Sequence, residues 1–142
     1  MNWIFWALLS AFFAGLTAVL AKIGVTGVDS NLATALRTSI VLVFTWSISF
    51  FANANATVGL WRLSQRTWSF LVLSGVATGL SWLCYFRALQ LGDVSRVAPV
   101  DKLSVVFAIV FAAVLLRERI GWQQLVGGSF VVVGAVILAL KY

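Results

Sequence analysis

The chain has 142 residues, 62% of them hydrophobic and only 10% charged, with a formal net charge of +6. Soluble domains carry about a quarter charged residues, so this composition excludes a water-soluble globular protein and points to a lipid solvent. The absence of histidine and the single cysteine, Cys84, leave no material for an internal disulfide, a zinc site or His-based catalysis, and no cofactor is implied. The basic residues stand singly or in pairs between apolar runs, the pattern of membrane-flank anchors and not of a nucleic-acid surface.

Five stretches approach the roughly 20 apolar residues that cross a hydrocarbon core of about 30 Å. The first, 3–21, carries no charge, has Trp3 and Trp6 at its outer end and a small face of Ser10, Ala14 and Ala18. It lacks a basic n-region beyond the terminal amine and is long for an h-region, so it is expected to stay as a span and not to be cleaved as a signal peptide. The second, 32–51, carries Arg37. A longer polar connection containing "NANATVG" leads past Trp61 to the third, 68–86, which opens on Trp68. It holds a small-xxx-small pair, Gly75 and Gly79, of the kind that lets helices approach closely in lipid. The fourth, 97–116, is expected to have Pro99 in its first turn, where a missing N–H costs nothing, with Asp101 and Lys102 just behind it. The fifth, 122–140, opens on Trp122 and has Gly127 and Gly134 on one side. The small faces of spans one and three are expected to pack within the chain's own bundle; for span five, own packing and contact with a partner both stay open. The fold class is all-α: a polytopic membrane protein with a five-transmembrane-helix bundle, forming one domain over 1–142.

Five spans place the termini on opposite sides. Arg62, Arg66, Arg117 and Arg119 flank one side; Lys22, Arg87, Arg96 and Lys141 flank the other. The positive-inside rule therefore returns nearly a tie, which fits either a weakly fixed single orientation or insertion both ways with pairing to an inverted copy.

Ordering the ionisable groups by depth brings out a layer. Arg37 and Asp101 each lie roughly 7–9 Å along a helix entered from the same side, at 1.5 Å per residue. Lys102 lies one residue deeper, and Lys22 and Arg87 end spans one and three on that side. A charge at a helix centre costs on the order of 2.5–3.5 kcal/mol, so charges kept inside usually face protein or water. Lys102 points about 100° away from Asp101 on an unbroken helix, so Arg37 is the expected partner of Asp101. Ser104 follows Asp101 on the same small, partly polar face. Three bland readings stay beside the cavity reading. Lys22 and Arg87 suit snorkelling anchors; Asp101 suits a complement to a helix N-terminus; Arg37–Asp101 suits a purely structural ion pair.

The segment "ALQLGDVSRVAP" is followed by an apolar span ending "LLRERI", and "AKIGVTGVDSNLATALRT" closes the first helix. Together they resemble an EamA-type unit of the drug/metabolite transporter superfamily, in particular its short five-helix bacterial and archaeal branch, over nearly the whole chain. The resemblance implies one half of a ten-helix architecture built from two inverted five-helix halves with a substrate cavity between them. It therefore implies a dimer, either an antiparallel homodimer or a heterodimer with a homologous half. It also implies that helices three and four line the cavity, making Trp82, Tyr85, Asp101, Lys102 and Ser104 candidates beside Arg37. Many members carry proline where Ser104 stands, so a bend there lacks its usual cause. Small multidrug relatives rely on an acid in the first helix; none is present here, which argues against a copy of their proton exchange.

The expected function is secondary transport of a small metabolite or drug-like molecule across the cell membrane, the inner one where a cell has two. Asp101 is the candidate for proton or cation coupling. Four bases to one acid favour an anionic or zwitterionic substrate; the alternative is a cationic one, received by Trp82 and Tyr85 through cation–π contacts. From another class, the chain suits a non-transporting membrane subunit that organises a partner protein. An enzyme is disfavoured, because no nucleophile, base and metal set is visible.

Overall fold

A computed structural model of the chain describes residues 3–52 and 63–140. Its helices are α1 (Trp3–Val25), α2 (Ser30–Ala52), α3 (Gln65–Leu91), α4 (Val94–Asp101), α5 (Ser104–Leu115) and α6 (Trp122–Ala139), with no strand among the described residues. The continuous stretch Val94–Leu115 counts as one span, so five segments are long and apolar enough to cross a membrane. The protein is an all-α, multi-pass membrane protein. Of the expected Ala52–Thr67 connection, residues 53–62, with Trp61 and Arg62, lie outside the described residues, as does Lys141.

The helices run further than hydropathy alone predicts. Between α1 and α2 only residues 26–29 are non-helical, and between α3 and α4 only Gly92 and Asp93. Polar residues such as Lys22, Arg87 and Gln90 continue the helices, and capping groups end them. Gly27, at φ 76°, takes the left-handed conformation that closes α1 and that a Cβ disfavours. Asp29 then opens α2: its Oδ1 accepts the amides of Asn31 and Leu32, both at 3.0 Å. That satisfies two of the orphan donors of the first turn and sets an anion at the positive end of the helix. Ser64 caps α3 in the same way, its Oγ accepting the Thr67 amide at 3.1 Å. At the end of α5, Arg117 sits at φ 55° and the Glu118 amide reaches back to the Ala112 carbonyl at 3.2 Å.

Eight hydroxyls within the spans are satisfied along their own helix. Thr34, Thr38, Ser39, Thr45 and Ser47 on α2, Ser69 and Thr78 on α3, and Ser129 on α6 each donate to the carbonyl four residues back. This is how a polar side chain is held in hydrocarbon without water.

The chain divides into two compact units, Met1–Ile23 with Leu91–Tyr142, and Gly24–Gln90. In the first, α6 packs against both α4 and α5. Its buried face is made by Gly128 and Ala135, and a Cβ added to Gly128 would stand 3.7 Å from Ile109 Cδ1 of α5. Gly127 and Gly134 lie one residue away, about 100° round the helix, and a Cβ on either meets nothing within 4 Å. The same openness holds at Gly75 and Gly79, so among the described residues no close helix contact uses these four glycines. In the second unit the buried residues are Val25, Ser30, Thr34, Phe86 and Leu89. They gather where the start of α2 meets the end of α3.

Two outcomes follow for stability in detergent. Asp29→Ala removes the α2 cap and should cost about 1 kcal/mol, read as a lower thermal midpoint. Gly128→Leu should overfill the α5–α6 contact and lower the midpoint by more than that, while Gly127→Leu leaves the monomer's midpoint near that of the wild type.

Candidate functional site

In the second unit, α2 presents Ser30, Thr34, Arg37 and Val41 on the face that is buried or half-buried. These positions recur at helical spacing, so Arg37 lies on the packed stripe and not on the lipid one. α3 answers with Gly79, Trp82, Phe86 and Leu89, likewise its less exposed face. The corner is closed by Gln90, whose Nε2 donates to the Val28 carbonyl at 2.6 Å, and Arg87 Nη1 donates to Gln90 Oε1 at 3.1 Å. Arg87 is thus part of a tie that carries on to the α1–α2 turn, which a free snorkelling anchor would not need.

The Arg37 guanidinium carbon stands over the Trp82 ring, 4.5 Å from its centroid, and 5.5 Å from that of Phe86. Both distances are within the range of a cation–π contact. Tyr85, beside them on α3, is near enough to interact with Arg37 electrostatically. The aromatic set expected to receive a substrate's positive charge therefore already holds a cation of the chain's own. Phe86 was not singled out from the sequence; its signal was only that it follows Trp82 by four residues, on the same helix face.

In the first unit the fourth span is interrupted. Asp101 ends α4, Lys102 and Leu103 form a turn, and Ser104 opens α5. The amides of Lys102, Leu103, Val105 and Val106 bond to the carbonyls three residues back, at 2.9–3.1 Å, the tighter 3₁₀ pattern. Three sequence expectations change here. α4 begins at Val94, after Asp93 as N-cap, so Pro99 is the sixth residue of the helix and not in its first turn. There it deprives the Ser95 carbonyl of its i+4 donor. Asp101 is accordingly the last residue of α4 and does not complement that helix's N-terminus. Lys102 does pair with Asp101, Nζ to Oδ2 at 3.3 Å, because the turn breaks the regular 100° spacing and the lysine stem is long enough to fold back. The change to 3₁₀ geometry just before Ser104 occurs without a proline there.

Of the candidate residues, Arg37 and Trp82 are in contact within the second unit, with Tyr85 close by. Asp101, Lys102 and Ser104 share the interruption in the first unit. The carboxylate expected for Arg37 thus belongs to the other unit, where its ion-pair partner is Lys102. Lys22, read as an anchor, donates from Nζ to the Gly92 carbonyl at 2.8 Å and so ties the end of α1 to the α3–α4 turn. Sequence reasoning missed that role because a backbone carbonyl leaves no trace in residue type. A separate apolar groove of about 260 Å³ runs along α6 past Trp122, Leu125, Ser129 and Phe130 and holds none of these charges.

The model of the EamA-like transporter family matches residues 1–140. An uncharacterized transporter in the cobO 3' region of Sinorhizobium sp is 48% identical, over 98% of this chain and 97% of the relative. An uncharacterized transporter of Archaeoglobus fulgidus is 27% identical over 96% of this chain, which corresponds to 46% of that protein's own length. A probable 4-amino-4-deoxy-L-arabinose-phosphoundecaprenol flippase subunit, ArnE, of Enterobacter sp. is 32% identical over 54% of this chain and 72% of the relative. No solved structure matches the chain. Five spans, a charge-bearing break in the fourth and a family match over almost every residue give one conclusion: the chain belongs to the EamA-like transporter family.

Proposed function

We propose that the protein is a secondary transporter of a small metabolite or drug-like molecule in the cell membrane, working as a pair of five-helix units, and not an enzyme. The observation that carries this reading is the interruption of the fourth span at Asp101–Ser104. Charged side chains within a membrane span are rare and usually face protein or a water-filled cavity. Substrate and ion sites of secondary transporters are commonly built where a spanning helix departs from regular α geometry, of which this 3₁₀ turn is a mild case. In this reading Asp101 takes up and releases the coupling proton or cation, Lys102 is the charge it exchanges against, and Ser104 supplies a hydroxyl at the first turn of α5. Arg37, Trp82 and Tyr85 contribute to substrate binding.

Pairing is supported by length and by packing. The chain matches about half of the Archaeoglobus fulgidus relative, which has room for two such units. The near-equal flank charges suit a copy inserted the other way round, and a homologous partner chain would serve equally. Gly75, Gly127 and Gly134 leave open space on α3 and α6 where a second unit's helices can approach. One observation favours a second reading, a subunit that organises a partner protein: the likeness to ArnE, itself named as a flippase subunit.

Purified protein in liposomes, tested against a panel of labelled small solutes, should move at least one of them above the rate of empty liposomes. Asp101→Asn should remove the dependence of that flux on an imposed proton gradient. If every flux equals that of empty liposomes, the subunit reading replaces the transporter. For pairing in inverted orientation, a reporter fused to the C-terminus should be found on both sides of the membrane; a single location rules out dual insertion.

A further inference from the structure

A guanidinium carries five N–H donors in one plane, and in a membrane each needs an acceptor. Among the described residues of the second unit Arg37 makes no hydrogen bond or ion pair; it stands over the faces of Trp82 and Phe86, with Tyr85 near enough to interact electrostatically. The neighbouring hydroxyls of Thr34 and Thr38 are turned back to their own helix, at 2.7 Å each. The sole acid of the second unit, Asp29, lies eight residues earlier and holds the α2 cap. That is about 12 Å along the helix, out of reach of a direct pair.

Aromatic faces and N–H edges do different things. A ring takes the flat face of a guanidinium and fixes its plane, leaving the in-plane N–H groups free. Those edges match the two oxygens of a carboxylate or phosphate, which arginine binds in a fork that lysine lacks. A cationic ligand meets the opposite situation, since the charge that already covers Trp82 repels it.

We propose that Arg37, held in orientation by Trp82 and Phe86, is the binding group for an oxyanion, a carboxylate or phosphate carried on a small apolar body. The inference rests on the transporter reading for its use: it names the substrate class. Trp82 and Phe86 act as positioning residues and Arg37 touches the ligand. The same oxyanion chemistry is offered by a lipid phosphate headgroup, and the experiment separates the two sources.

The full chain is placed in phosphatidylcholine nanodiscs and its thermal midpoint titrated with benzoate, phenyl phosphate, benzamide and benzylammonium. Benzoate and phenyl phosphate should raise the midpoint saturably, and the neutral and cationic analogues should not. Arg37→Gln should weaken apparent binding of both anions on the order of tenfold or more, with Trp82→Leu weakening it less. Arg37→Lys, the variant to use if Arg37→Gln does not fold, should stay well below the wild type because it lacks the fork. Replacing part of the lipid by phosphatidylglycerol identifies the source: competition with benzoate assigns the site to a lipid phosphate, and no competition assigns it to a water-borne anion. Equal shifts from benzamide or benzylammonium, no shift from either anion, or wild-type anion binding by the Arg37 variant that folds overturns the proposal. The transporter reading is tested apart from it. Flux of an anionic solute that is unchanged in Arg37→Gln sinks the oxyanion site and leaves transport standing. Arg37-dependent anion binding with no flux in the wild type does the reverse.

Discussion

Water is missing from the inside of a bilayer, and that one lack governs most of what this chain does with its polar atoms. Backbone groups are met within each helix, and the hydroxyls of α2 are folded back onto carbonyls of their own helix. Helix ends are closed by local side chains or neighbouring turns: Asp29 and Ser64 at N-termini, Gln90 and Lys22 across to loop carbonyls. Against that background of local satisfaction, two groups that are handled differently stand out. Arg37 is given aromatic faces instead of acceptors, and Asp101 is given a lysine at a place where the helix itself is broken.

These two exceptions divide the chemistry. Residues at the turn carry an acid and a base side by side, and both are partly exposed: 35% for the Asp101 side chain and 57% for Lys102. The guanidinium on α2 is permanently charged and cannot serve in proton exchange. The proposed binding and coupling roles would then fall to different residue types on different helices.

The spans, the all-α class and the family were legible in the residues, because roughly 20-residue apolar runs and the "LLRERI" turn are signals that tertiary structure does not override. Helix ends were less so. Hydropathy stops where Arg87 begins, yet α3 continues to Leu91, since helical hydrogen bonding does not depend on the side chain being apolar. Pro99 was misplaced for the same reason: "GDVSR" looks like a loop, but Asp93 starts a helix there. At α6 the doublets Gly127–Gly128 and Gly134–Ala135 offer two seven-residue faces of small residues, and only packing against Ile109 distinguishes them. Lys102 turning back to Asp101 was illegible, because the angle between neighbours was read from an unbroken helix. The contact between Arg37 and Trp82 lay just beyond what sequence can give: both residues were picked out, and nothing in their spacing across two helices says that they touch.

The tightened turn between α4 and α5 has a mechanical side. A 3₁₀ residue rises about 2.0 Å and advances 120°, against about 1.5 Å and 100° in an α-helix. Converting the four i→i−3 amides at this turn to the ordinary pattern would draw the two half-helices together by roughly 2 Å and swivel one against the other by about 20° per residue. The fourth span thus contains a few residues of different pitch from the helix on either side, with the carboxylate of Asp101 at their edge.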